Sequence, residues 1–119
     1  MTKVLVCGRR EYSDMARIDR VLSAAVERLG LDAIVQGGAS GADALAKQWA
    51  CHRRLQVETF HADWTGLGKA AGPLRNQKML DEAKPNLVIA FPTPGAENKG
   101  TRNMIELAKK AGLTVHVIA

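Results

Sequence analysis

The sequence is poor in aromatic residues, poor in cysteine and free of long apolar runs, and each shortage excludes a class of function. Phe, Trp and Tyr make up 4% of the residues, too few for a protein that stacks successive bases of a single strand on a row of rings. The only cysteines, Cys7 and Cys51, stand too far apart to suggest a disulfide framework or a zinc site. They read as small apolar residues in a reducing compartment, and a cytoplasmic location is expected. No apolar run approaches the roughly 20 residues that span a bilayer. The N-terminus runs directly into Lys3-Val4-Leu5-Val6-Cys7, without the apolar length or the small-residue cleavage site of a signal peptide. Neither a secreted nor a membrane protein is expected. His52, His61 and His116 show no ligand spacing and the acidic residues do not cluster, so no metal and no resident cofactor is expected either.

What is present is an ordinary globular composition, 46% hydrophobic and 24% charged over 119 residues. That length suits one compact domain over residues 1–119 with a core that needs no staples. Seventeen Lys and Arg against twelve Asp and Glu give a formal charge of +5 and a pI near 9.6. The excess favours phosphate-bearing partners, free nucleotides or nucleic acid, without distinguishing them.

Short apolar runs with strand character occur at 3–8, 32–36, 56–61, 86–91 and 114–118. Between them the spacing is helical. Met15, Ile18, Leu22, Ala25 and Leu29 form one stripe, with Asp14 as N-cap and Gly30 as stop. Ala42, Leu45, Ala46, Trp49 and Ala50 form a second; a third helix runs from Pro73 through Met79, Leu80 and Ala83 towards Pro85; Met104, Ile105, Ala108 and Ala111 mark a fourth, ended by Gly112. This alternation predicts an α/β protein with a Rossmann-like, doubly wound parallel sheet of about five strands and about four helices. Val4-Leu5-Val6 and Leu87-Val88-Ile89-Ala90 are continuously apolar, as strands covered on both faces are. The runs at 56–61 and 114–118 carry polar interruptions and belong at the edges, which makes the order 3-2-1-4-5 and puts a ligand site outside the carboxyl ends of strands 1 and 4.

The chemistry-bearing residues fall just after strands. Gly8-Arg9-Arg10 follows strand 1, Gly37-Gly38-Ala39-Ser40-Gly41-Ala42-Asp43 follows strand 2, and Glu97-Asn98-Lys99-Gly100-Thr101 ends the loop after strand 4. Glycines let backbone N–H groups approach an oxyanion, and the helix start adds a favourable dipole. The plainer account of Gly37–Asp43 is a tight turn needing positive φ, with Ser40 as an N-cap. Gly38-Ala39-Ser40-Gly41-Ala42 approaches the Gly-x-Ser-x-Gly elbow but lacks its acid and histidine partners in usable places. Gly68-Lys69 is not a P-loop, because alanine follows the lysine. It reads as a mobile loop that either carries Lys69 to a phosphate or leaves it solvated. Trp49 belongs in the core; Trp64, beside Asp63, either stacks on a base or packs as a lid.

Taken together, Gly8-Arg9-Arg10-x-Tyr12-x-Asp14, Gln36–Asp43, Ala62-Asp63-Trp64, Gly68-Lys69-Ala70-Ala71-Gly72-Pro73-x-Arg75-Asn76, Met79-Leu80 and Gly100-Thr101 resemble the YspA-type branch of the SLOG superfamily, over nearly the whole chain. The resemblance implies one Rossmann-like domain that binds nucleotides or nucleotide-derived ligands. The LOG phosphoribohydrolases, which cleave the N-glycosidic bond of nucleoside monophosphates, are distantly similar. Arg75 matches an arginine of theirs, and the LOG-like resemblance also favours a homodimer. Their Pro-Gly-Gly-x-Gly-Thr-x-x-Glu motif is broken here: Met104 takes the place of the glutamate, and Glu106 lies roughly 200° further around the helix. The core of the DNA-processing protein DprA is similar at Gly37–Asp43 and Arg75-Asn76.

Three readings follow. In the first, a nucleotide or a derivative such as ADP-ribose is held by Gly8, Gly37, Gly38, Ser40, Gly41, Asn76, Gly100 and Thr101. Arg9, Lys69 and Arg75 supply charge, and Asp43 either bonds a ribose hydroxyl or steadies its own helix. In the second, Glu97 and Asp43 add hydrolysis of an N-glycosidic or related bond. In the third, Arg9, Arg10, Arg53, Arg54, Lys69 and Arg75 track a nucleic-acid backbone, although the charges are dispersed along the chain.

Overall fold

The computed structural model describes residues 1–119. In chain order it contains β1 (Lys3–Gly8), α1 (Met15–Leu29), β2 (Ala33–Gln36), α2 (Ala42–His52), β3 (Gln56–Thr59), a single helical turn α3 (Trp64–Leu67), α4 (Ala71–Lys78), β4 (Leu87–Phe91), α5 (Lys99–Lys110) and β5 (Thr114–Val117). The strands form one sheet in the order β3-β2-β1-β4-β5, and every pairing is parallel. The order expected from the apolar patterning is the observed one.

Side chains alternate across a strand, so a continuously apolar strand feeds two cores at once. Val4 and Val6 pack with Ile18 and Leu22 of α1 and with Ala46 and Trp49 of α2. Leu5 and Cys7 point the other way, onto Met79, Leu80, Met104 and Ala108. Each helix stripe finds its side of the sheet by the same logic. At the ends of α1 the expected caps are in place. Asp14 Oδ1 accepts from the Arg17 N–H at 3.0 Å, and Gly30 closes the helix at φ +66°, a conformation that favours glycine. The edge strands β3 and β5 are partly exposed, while β2 and β4 are wholly buried.

The segment after β3 differs from the loop expected there. Asp63 Oδ1 accepts from the Gly66 N–H at 2.9 Å and starts α3, and a 3₁₀ turn over Gly68–Ala70 leads into α4. Gly66 and Gly68 suggest a loop, but one side-chain cap is enough to order a single turn. Pro73 lies in the first turn of α4, where its missing N–H leaves no intrahelical bond unmade. The helix then widens to a π turn over Met79–Ala83 and stops at Lys84, φ +50°, ahead of Pro85. No helix is long and apolar enough to cross a membrane.

Phe91 ends β4 fully buried, its ring centroid 5.4 Å from that of Tyr12, whose own hydroxyl is buried without a hydrogen-bond partner. Phe91→Ala is expected to lower the unfolding free energy by about 3–5 kcal/mol. Tyr12→Phe, which removes only the orphaned hydroxyl, is expected to leave it unchanged or raise it by about 1 kcal/mol. Urea denaturation of both variants checks the pair.

Candidate functional site

The segments leaving β1, β2, β3 and β4 at their carboxyl ends, together with α4, surround a cavity of about 550 Å³. This is the point where the chain reverses its direction of winding across the sheet, so neighbouring loops part and leave a crevice.

The loop after β2 is shaped by its own buried polar groups. Gln36, fully buried at the end of the strand, donates from Nε2 to Thr59 Oγ1 at 2.5 Å and accepts the Gly38 N–H on Oε1 at 2.6 Å. Asp43, in the first turn of α2, accepts the N–H groups of Gly37 and Ala39 on Oδ2 at 3.0 and 3.3 Å. Gly41 adopts φ +76° with its missing side chain turned to the Arg9 and Arg10 carbonyls. The Ala42 N–H donates to Arg9 O at 3.4 Å and Ser40 Oγ to Arg10 O at 3.2 Å, which stitches the β1 and β2 loops together.

Arg75 enters this loop from α4. Its Nη1 donates to Gly37 O at 2.7 Å and Phe60 O at 3.4 Å, and its Nε donates to Asn76 Oδ1 at 2.9 Å. Space for the guanidinium exists only because Gly37 has no side chain: a Cβ there would lie 2.7 Å from Arg75 Cζ and 3.1 Å from Asp43 Oδ2. Asn76 continues the chain, donating from Nδ2 to Asn103 Oδ1 at 3.0 Å and to Gly100 O at 3.3 Å, so α4 grips the start of α5. Burial pushes the Asp43 carboxyl up to about 6, against the opposing pull of the Ala39 N–H, the Arg75 charge and the Gly37 N–H. Burial likewise lowers Arg75, and Asp43 opposes that shift. Cys7 also lines the cavity, but burial raises its thiol far out of the nucleophilic range.

The loop after β4 is held by Asn98, which accepts the Thr93 N–H at 3.1 Å and donates to the Thr93 and Ala96 carbonyls at 3.2 and 2.9 Å. Arg9 donates to the Glu97 carbonyl and pairs with Glu11 at 2.9 Å. Neither α2 nor α5 has a side-chain hydrogen bond capping its start. The Ala42 N–H of α2 is taken by Arg9 O, whereas the start of α5 at Lys99, Gly100 and Thr101 lines the cavity, where its first-turn amides and positive dipole end suit an oxyanion.

Of the residues singled out in the sequence, Gly8, Arg9, Gly37, Gly38, Ser40, Asp43, Arg75, Asn76, Glu97, Gly100 and Thr101 all line the cavity. Gly41 does not; it sits behind the wall, where its backbone conformation sets the turn. Lys69 is exposed on the 3₁₀ turn and is not part of the wall. Glu97 is exposed and lies 3.6 Å from Lys99. Met104 is fully buried in the core and does not reach the cavity. Arg53 and Arg54 follow the carboxyl end of α2, where Arg53 bonds Ser23 and stacks on Trp49. Arg10 and Asn98, which the sequence places in the loops after β1 and β4, also line the cavity, while Gln36, His61 and Asn103 were missed as parts of the site or its frame. For Gln36 a signal existed: a long amide ending a wholly apolar strand has to be bonded inside the protein. For the others the sequence carries none.

The model of the family described as "YspA, cpYpsA-related SLOG family" matches residues 2–66, from β1 through the start of α3, which includes the β1 and β2 loops. Gene 61 protein of Mycobacterium phage D29 is 37% identical over 122 residues, a match that covers 97% of this chain and 94% of the phage protein.

The raised Asp43 carboxyl makes stability depend on pH in a known direction. The folded state keeps a proton that the unfolded chain releases between the ordinary value of 3.8 and about 6. This contribution is therefore fully present below about pH 4 and is lost as pH rises through 6. Asp43→Asn, which keeps an acceptor but cannot ionise, is expected to flatten the fall in stability between pH 4 and 7 by up to roughly 3 kcal/mol. Thermal melts of both proteins across that range check it.

Proposed function

We propose that this chain, which belongs to the YspA, cpYpsA-related SLOG family, binds a nucleotide or nucleotide-derived ligand in the cavity at the carboxyl ends of its strands. The observation that carries this reading is that the uncapped α5 start at Gly100–Thr101 and Ser40 of the β2 loop line one space with Arg9, Arg10 and Lys99, while Gly37 and Gly38, whose amides are bonded to Asp43 and Gln36, shape the wall. Backbone amides at helix starts and guanidinium groups are the donors that phosphate oxygens take best. At about 550 Å³ the cavity is far larger than one oxyanion needs. It falls within the roughly 300–1,000 Å³ of pockets that enclose a small organic ligand. Arg75 braces the loops with Nη1 and bonds Asn76 with Nε, and its Nη2, which has no hydrogen bond within the protein, is the donor left for the phosphate.

A second reading adds hydrolysis of the N-glycosidic bond, and Asp43 favours it. Asp43 is a buried carboxyl in the cavity wall whose affinity for a proton is raised towards neutral pH, as a general base requires. Water would attack the anomeric carbon and pass its proton to Asp43, while the nucleobase leaves with the electron pair of the C–N bond. Glu97, exposed and beside Lys99, is the weaker candidate. The buried Met104 supplies no carboxylate where the phosphoribohydrolases have theirs.

Gly100 offers a clean test of binding, because a Cβ there meets nothing within 4 Å. Gly100→Asp is expected to fold normally, with a melting temperature unchanged or higher, since a carboxylate suits a helix start. The same charge opposes a bound phosphate by on the order of 1–4 kcal/mol, so calorimetric titration of nucleoside monophosphates should show a loss of affinity of about fivefold or more. Wild-type protein that binds none of them at millimolar concentration overturns the reading. For the second reading, chromatography after long incubation should show free base released by wild type and not by Asp43→Asn. Intact nucleotide in both removes hydrolysis and leaves binding standing.

A further inference from the structure

We infer that Trp64 is the platform on which the base of the bound nucleotide stacks, an inference that rests on the nucleotide reading above. The chain has two Phe, two Trp and one Tyr. Trp49 and Phe91 are buried in the core, and Tyr12 and Phe60 pack against it. Trp64 alone among these rings lines the cavity, and it is 49% exposed. A half-exposed indole leaves apolar surface in water that a flat partner would cover.

The ring is exposed and yet positioned from several directions. Asp63 caps the single turn that carries it. Gly72 of α4 lies so close that a Cβ there would stand 3.2 Å from Trp64 Cη2. The Arg10 guanidinium, 5.5 Å from the ring centroid, belongs to the β1 loop whose backbone is bonded to the β2 glycine turn. The ring is thereby tied to the segment that receives the phosphate. A surface ordered before its ligand arrives loses little freedom on binding. Every nucleobase has a π-face for such a platform, so Trp64 selects nucleotides over sugar phosphates without choosing strongly among bases.

The test is calorimetric titration of wild type, Trp64→Ala and Trp64→Phe with AMP, GMP, CMP, UMP and ribose 5-phosphate. In wild type, nucleotides are expected to bind tighter than ribose 5-phosphate. Trp64→Ala should bring them to the ribose 5-phosphate level, a loss of roughly 5- to 150-fold, while Trp64→Phe retains most of the affinity. Ribose 5-phosphate should bind all three proteins alike, which also reports an intact phosphate end. In the unaltered chain, nucleotides but not ribose 5-phosphate should quench the exposed Trp64 emission, a readout that needs no variant. Nucleotide affinity unmoved by Trp64→Ala overturns the platform and leaves the phosphate site standing. An equal loss for ribose 5-phosphate, or a changed oligomeric state with unchanged binding, also overturns it, placing the indole at the phosphate end or between copies of the chain. Failure of wild type to bind any of the five ligands overturns the nucleotide reading together with the platform.

Discussion

The site depends on one contact, the Arg75 guanidinium seated in the gap left by the missing side chain of Gly37. From there it reaches the carbonyls of the β2 and β3 ends, faces the buried Asp43 carboxyl, and through Asn76 connects to the start of α5. Three loops that the sheet separates are thus held in register by hydrogen bonds around one cation. A buried cation without such partners would cost several kcal/mol. Here the surrounding carbonyls and Asp43 offset that cost, and the glycine is what lets them approach.

The chemistry of the cavity wall follows from this arrangement. Asp43 and the two loop amides it accepts hold each other, so the acid that raises the negative potential also keeps the glycine turn open. Of the cations at the rim, Arg9 is paired with Glu11 and Lys99 with Glu97, while Arg10 lies over Trp64. In the proposed reading the uncapped start of α5 therefore matters to an oxyanion at least as much as net charge does. That is why the overall charge of +5 says little about where a ligand binds.

The same geometry explains the distance from the phosphoribohydrolase pattern. On α5, the face at Met104 turns into the core against β1 and β4, while Gly100 and Thr101 meet the cavity. A chain that needs Met104 for packing has no carboxylate to offer from that turn. Asp43, on α2, is the buried acid in the cavity wall.

Strand order, helix stripes, the caps at Asp14 and Gly30 and the clustering of chemistry at the carboxyl ends were legible in the sequence, because each is a local pattern of period, cap or breaker. That the glycine loops would line one rim was legible too, since loops following strands have only one end of a parallel sheet to occupy. Helical order in residues 64–70 was hidden, because it rests on one capping bond at Asp63 and on packing against Gly72. Which groups face the cavity was hidden as well: nothing in the order of residues tells that Lys69 stays outside while Arg10 and Trp64 enter, or that Arg75 is spent mainly as a brace. Those outcomes depend on ångström-scale approaches between segments far apart in the chain, and only the folded arrangement decides them.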